Sequence, residues 1–136
     1  MPSILRSVLA VVAGFVLVGA LAFGTGVLTA GIWPTAIDVD GNPATGTARV
    51  AQLLYVGVFA VLGCWLAGRL APSRPMAHAL AVGVLGLILN VASAWAMRDG
   101  HPAWYLAAGV VTTMLWAWIG GRLAEGSGAA PARAVA

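Results

Sequence analysis

The chain has 136 residues, of which 61% are hydrophobic and 8% charged, against roughly 25% charged in an average soluble domain. A water-soluble fold of this size cannot hide so much apolar surface, because small domains leave much of their area exposed, so most of the chain must be solvated by lipid. The formal charge of +3 comes from seven arginines spread singly along the sequence; a nucleic-acid footprint needs basic residues gathered on one face, and no nucleic-acid partner is expected.

The charges leave uncharged stretches at 7–37, 50–68, 79–97 and 102–121. Crossing the roughly 30 Å hydrocarbon core takes about 20 predominantly apolar residues in a helix. Four membrane helices are therefore predicted, near 5–31, 49–70, 76–97 and 102–123. Strands are not expected, since period-two alternation is absent and an open sheet cannot satisfy its backbone in lipid. The first stretch has one rival reading: Arg6, an apolar run and "ALA" at 20–22 resemble a cleaved signal peptide. Its apolar character continues to Trp33, past the usual 7–15-residue core of such a peptide, and a retained helix is preferred.

Between the first two helices, residues 33–48 carry two prolines, two glycines and two aspartates, the marks of a loop. The second connection, "APSRP" (71–75), and the third, "RDGHP" (98–102), are short turns with a proline at a helix start, where its missing N–H costs nothing. Residues 1–124 thus form a single four-span domain. Residues 125–136, "EGSGAAPARAVA", are expected to be a disordered tail.

Cytoplasmic loops are enriched in arginine. With four spans, Arg6, Arg69, Arg74, Arg122 and Arg133 share one side, while Arg49 and Arg98 lie on the other with Asp38, Asp40 and Asp99. Both termini are accordingly expected in the cytoplasm. The absence of lysine beside so much alanine, glycine and arginine fits a GC-rich bacterial genome, and hence a bacterial inner membrane.

A phrase recurs: "WLAGRLA" at 65–71 and "WIGGRLA" at 118–124. It reads as a duplicated hairpin, a binding site in two copies, or a shared way of ending a membrane helix. Aligning the two segments puts Ala60, Cys64 and Gly68 opposite Thr113, Ala117 and Gly121, with Gly109 one turn earlier. Small residues at four-residue spacing form a stripe on one helix face, and such stripes let membrane helices approach closely. Tryptophan at headgroup depth followed by arginine is a membrane anchor. Packing and anchoring explain the phrase without a binding site. Trp33, Trp95, Trp104 and Tyr105 are assigned to one aromatic belt, and Trp65, Trp116 and Trp118 to the other.

No charged residue falls in the interior of any span, which argues against coupled transport. The small multidrug transporters share the size but depend on a glutamate in the first helix, where this chain offers only Thr25 and Thr29. The most informative pattern is on the third helix: Gly83, Gly86, Asn90, Ser93 and Met97 fall on one small, polar face. At 1.5 Å rise per residue, Asn90 lies about 12 Å below Arg98, Tyr55 about 9 Å below Arg49 and Thr25 about 12 Å below Trp33. These groups are expected at similar depth, with Gln52 and Ser93 nearer the surface. One reading is interhelical hydrogen bonding; the other is a small pocket in which Asn90, Tyr55 and Gln52 hold an uncharged ligand or a lipid headgroup.

Cys64, the single cysteine, excludes an internal disulfide or a CxxC pair and reads as a packing residue. His78 and His101 fall at opposite faces and cannot share a metal or haem; no metal and no cofactor are expected. His101 beside Asp99 is the only candidate catalytic pair, but it lacks a nucleophile and an oriented third group. No phosphate-binding glycine loop is present.

His101, Pro102 and Trp104 in "HPAWY", with Gly121 and Arg122 in "WIGGRLAE", resemble a broad group of small four-helix bacterial membrane proteins of unknown function. That resemblance implies the four-helix fold and supplies no substrate, cofactor or catalytic residue. The sequence thus predicts an all-α integral membrane bundle in contact with the lipid bilayer. Its expected role is non-enzymatic: an accessory subunit packed on a membrane-protein partner, or a homo-oligomer. The alternative is a transport or ligand-binding module built on the Asn90–Tyr55 face.

Overall fold

A computed structural model describes residues 2–128. Four helices account for nearly all of them: α1 (Ser3–Ile32), α2 (Gly46–Leu70), α3 (Pro75–Met97) and α4 (Ala103–Gly128). Each is long and apolar enough to cross a membrane. Large apolar side chains point outward, among them Ile4 at 77% exposure, Phe23 at 76% and Val111 at 74%, an arrangement that water would penalise and lipid would not. The buried interior is made of small residues, chiefly Cys64, Ala67, Ala79, Val82 and Ala117.

The helix starts follow local chemistry. Thr45 caps α2 by accepting a hydrogen bond from the Ala48 N–H at 3.1 Å, satisfying one of the orphan donors of the first turn. Pro75 opens α3 after Arg74, whose φ of 49° lies in the left-handed region. α4 runs five residues past the expected end at 123, so residues 125–128 are helical rather than tail; the rest of that expected tail lies outside the described residues. The extension is tied down by Ser127, which donates to the Leu123 carbonyl and accepts from Trp65 Nε1 at 3.3 Å.

The 33–48 loop is ordered. A 3-10 turn at Pro34–Ala36 leads into an isolated antiparallel bridge between Ile37 and Pro43. Asp38 holds the turn by accepting from the Asp40 and Asn42 amides at 3.0 and 2.8 Å, and Gly41 supplies the positive φ of 83° that a side chain would resist. We call this the loop end of the bundle; the α2–α3 turn lies at the opposite end.

Glycine and alanine set the helix contacts. In the α1–α2 interface, a Cβ on Gly14 would collide with the Gly63 carbonyl and lie 2.9 Å from Ala67 Cβ. Between α2 and α4, which run parallel, a Cβ on Gly120 would lie 2.6 Å from the Val61 carbonyl oxygen and 2.7 Å from Cys64 Cβ. Gly68 meets Ala124 in the same interface, at 2.6 Å from a Cβ built on the glycine. Between α3 and α4 the ladder is regular: Gly109 faces Asn90, Thr113 faces Gly86, Ala117 faces Gly83, and Gly121 faces Met76 and Ala79. The stripe 109–113–117–121 is therefore the α3-facing side of α4. On α2, Cys64 and Gly68 face α4, while Ala60 lines a cavity described below.

The two copies of the repeated phrase do not pack alike. Ala67 and Gly120 occupy the same place in the phrase, yet Ala67 packs on Gly14 of α1 whereas Gly120 packs on Val61 and Cys64 of α2. A duplicated hairpin would set Gly120 against α3 instead.

Candidate functional site: a cavity among the helices

Asn90 sits on the small face of α3, where Gly86 and Gly83 let α4 approach. Its Nδ2 donates to the Gly86 carbonyl at 3.0 Å and to Thr113 Oγ1 at 3.0 Å. Thr113 in turn donates to the Gly109 carbonyl at 2.6 Å. The interhelical bonding read from sequence thus exists, between Asn90 and Thr113. Each such bond contributes on average about 0.6 kcal/mol in a membrane protein. No hydrogen bond among the described residues ends on Asn90 Oδ1, which faces Gly109 of α4.

Nearer the loop end, Tyr105 on α4 donates its hydroxyl proton to Gln52 Oε1 on α2. Both residues extend the small-residue stripes. Gln52 continues the α2 series 56–60–64–68, and Tyr105 continues the α4 series 109–113–117–121, each by four-residue steps. Tyr105 therefore turns into the bundle, not outward into the aromatic belt assigned to it. Trp116 departs from its belt as well: its indole lies over Gly57, where a Cβ would be 2.8 Å from the ring. A glycine in the middle of α2 opens room for a bulky ring, and packing outweighs the headgroup preference of tryptophan.

These groups line a cavity of about 190 Å³. Gln52, Asn90, Ser93 and Tyr105 furnish its polar wall, and Phe15, Val18, Val82 and Trp116 much of its apolar one. An engineered apolar cavity of about 150 Å³ accepts benzene, so this space admits a short stretch of hydrocarbon or a few waters, but not a drug-sized ligand.

Tyr55 and Thr25 lie elsewhere. They line a separate cleft of about 570 Å³ between the outer half of α1, the 33–48 loop and α2. Tyr55 packs on Phe59 with ring centroids 5.6 Å apart, and the Thr25 carbonyl accepts from Thr29 at 2.8 Å. A Cβ on Gly24 or Gly26 would meet nothing within 4 Å, so α1 stands away from its neighbours there. Depth alone had grouped Asn90, Tyr55 and Thr25; helix rotation separates them. Gln52 borders both spaces.

Asp99 and His101 face different partners. Asp99 is 88% exposed at its side chain and pairs with Arg98 at 3.7 Å, while the His101 ring packs on Tyr105 with centroids 5.8 Å apart. Among the described residues, no group of three or more His, Cys, Asp and Glu side chains comes together to hold a metal.

Comparison of the chain with known protein families, with curated proteins and with solved structures finds no match. Of the residues that carried the resemblance to small four-helix membrane proteins, Gly121 has a packing role against Met76 and Ala79. Arg122 lies over the Trp118 ring at 5.6 Å and beside Glu125 at 3.7 Å, and Trp104 is half exposed.

Proposed function

We propose that the chain is an integral membrane protein with both termini in the cytoplasm that binds the apolar chain of an amphiphile, a membrane lipid first among them. The observation that carries this is the cavity: Gln52, Asn90, Ser93 and Tyr105 bring polar groups to a lining that is otherwise largely apolar. A mostly apolar lining with a few polar groups complements a molecule that joins a hydrocarbon body to a polar end. The small-residue stripes had supported an accessory-subunit reading. Their use inside the bundle leaves less to offer a partner, which favours ligand binding. The role is non-enzymatic in this reading.

Native mass spectrometry of the protein, extracted gently from a bacterial membrane, tests it. A lipid retained by the wild type and lost in Ala60→Phe, which fills the cavity from α2, supports the proposal. Equal retention by both proteins defeats it. A second polypeptide at fixed stoichiometry in place of a lipid returns the accessory-subunit reading.

A further inference from the structure

One turn above the Gln52–Tyr105 pair, toward the loop end, stand Arg49 and His101. Arg49 precedes Gln52 by three residues and shares its face of α2, and His101 stands in the turn two residues before α4, four before Tyr105. The bond that joins Gln52 to Tyr105 ties these two segments together. The His101 ring rests on Tyr105, with centroids 5.8 Å apart.

Arg49 Nε and both ring nitrogens of His101 are buried and make no hydrogen bond. Buried polar atoms in native proteins are nearly always paired, and three unpaired ones on the two residues that flank the Gln52–Tyr105 pair point to a ligand that meets them. Its charge follows from the surroundings. Arg49 has no carboxylate partner among the described residues. Asp99 is turned to solvent beside Arg98, Asp38 is engaged with backbone amides, and Asp40 borders the other cleft. α2 and α4 both begin at this end, with no acidic residue in either first turn.

We infer that Arg49 and His101 form a clamp for a phosphate group beside the Gln52–Tyr105 pair, which lines the cavity. Arginine's planar donors match the oxygens of phosphate, and in either tautomer one histidine ring nitrogen is a donor. Resting on the lipid-binding reading, the inference gives the bound amphiphile its polar end: the phosphate meets Arg49 and His101, and a chain descends past Gln52 and Asn90.

The experiment is native mass spectrometry of the full chain, purified and offered phosphatidylglycerol or a diacylglycerol with the same chains and no phosphate. Wild type is expected to prefer the phospholipid by on the order of tenfold, about what one charge-assisted contact supplies. Arg49→Gln should abolish the preference, His101→Gln should weaken it, and Arg49→Lys should keep part of it. Helix content and thermal midpoint serve as the folding check. Folded Arg49→Gln and Arg49→Lys proteins that both keep the full preference overturn the clamp, as does equal wild-type retention of the two lipids. Either result leaves the cavity reading intact if Ala60→Phe still abolishes chain binding. Preference for phospholipid that survives Ala60→Phe but not Arg49→Gln upholds the clamp and removes the cavity reading. Displacement by excess inorganic phosphate marks a free phosphate as the occupant; resistance to it marks a lipid-borne one.

Discussion

Replacing Gly120 with alanine adds one methyl group where α4 crosses α2, and the surroundings cannot move aside. The new carbon would lie 2.6 Å from the Val61 carbonyl oxygen, 2.7 Å from Cys64 Cβ and 3.0 Å from the Trp65 amide nitrogen. Two of these are backbone atoms and the third is a Cβ, so relief requires the helices to part. Overpacking of this kind costs about 1–3 kcal/mol, and rigid neighbours argue for the upper half of that range. Against it stands the better helix propensity of alanine, about 1 kcal/mol. The net loss should be about 1–2 kcal/mol. Two controls isolate the steric part. Gly24→Ala, whose new methyl meets nothing within 4 Å, should be neutral or stabilising. Gly121→Ala points at Met76 Sδ, 2.5 Å away; a thioether on a flexible chain can swing aside, which places this variant between the other two. Equilibrium unfolding by sodium dodecyl sulfate in mixed micelles, followed by helical circular dichroism, orders the three proteins. If Gly120→Ala is as stable as Gly24→Ala, the close α2–α4 crossing is wrong, and with it the wall of the cavity that Ala60 and Cys64 build.

Three further expectations follow from the same contacts. Tyr105→Phe and Gln52→Leu, singly and together, should give a coupling energy near the 0.6 kcal/mol average for membrane hydrogen bonds and below about 1.7 kcal/mol; additive effects would mean that the pair is not bonded. Cys64 is 2% exposed, so a maleimide should modify it only after the bundle is denatured, and rapid labelling in mild detergent would show the α2–α4 interface to be open. In a Cys64→Ala background, a cysteine at Val39, which is fully exposed in the loop, should react with a membrane-impermeant reagent on intact cells. A cysteine at Ser73 should react only after lysis. The opposite pattern would reverse the proposed orientation, and labelling of both sites on intact cells would break the four-span arrangement.

The helices were legible because charge is so scarce: arginine, aspartate or histidine brackets every apolar stretch, and α1, α2 and α3 begin and end within three residues of expectation. The end of α4 was not. Residues 125–128 read as part of a disordered tail, but the Arg122–Glu125 contact and the Ser127 hydroxyl support another turn. Periodicity likewise identified the small stripe on α4 without saying which helix it meets. A stripe fixes a face, whereas the neighbour depends on how the hairpins are arranged, and here α4 shows one face to α3 through Gly121 and another to α2 through Gly120.

Tyr105 shows where the remaining signal lay. Its aromatic ring near a helix end suggested a headgroup anchor, and residue type outweighed position. Four-residue spacing argues the other way, since 105, 109, 113, 117 and 121 form one series, as do 52, 56, 60, 64 and 68. Gln52 and Tyr105 are also 53 residues apart, the same interval that separates the two copies of the repeated phrase. The repeat therefore reaches beyond its seven residues: it places two polar side chains at matching ends of two parallel helices, where they bond to each other across the cavity. A shared packing scheme on α2 and α4 produces that meeting without requiring the hairpins to be copies. The phrase looked like a helix ending, yet its far consequence, three to four turns away, is the polar wall of the candidate site.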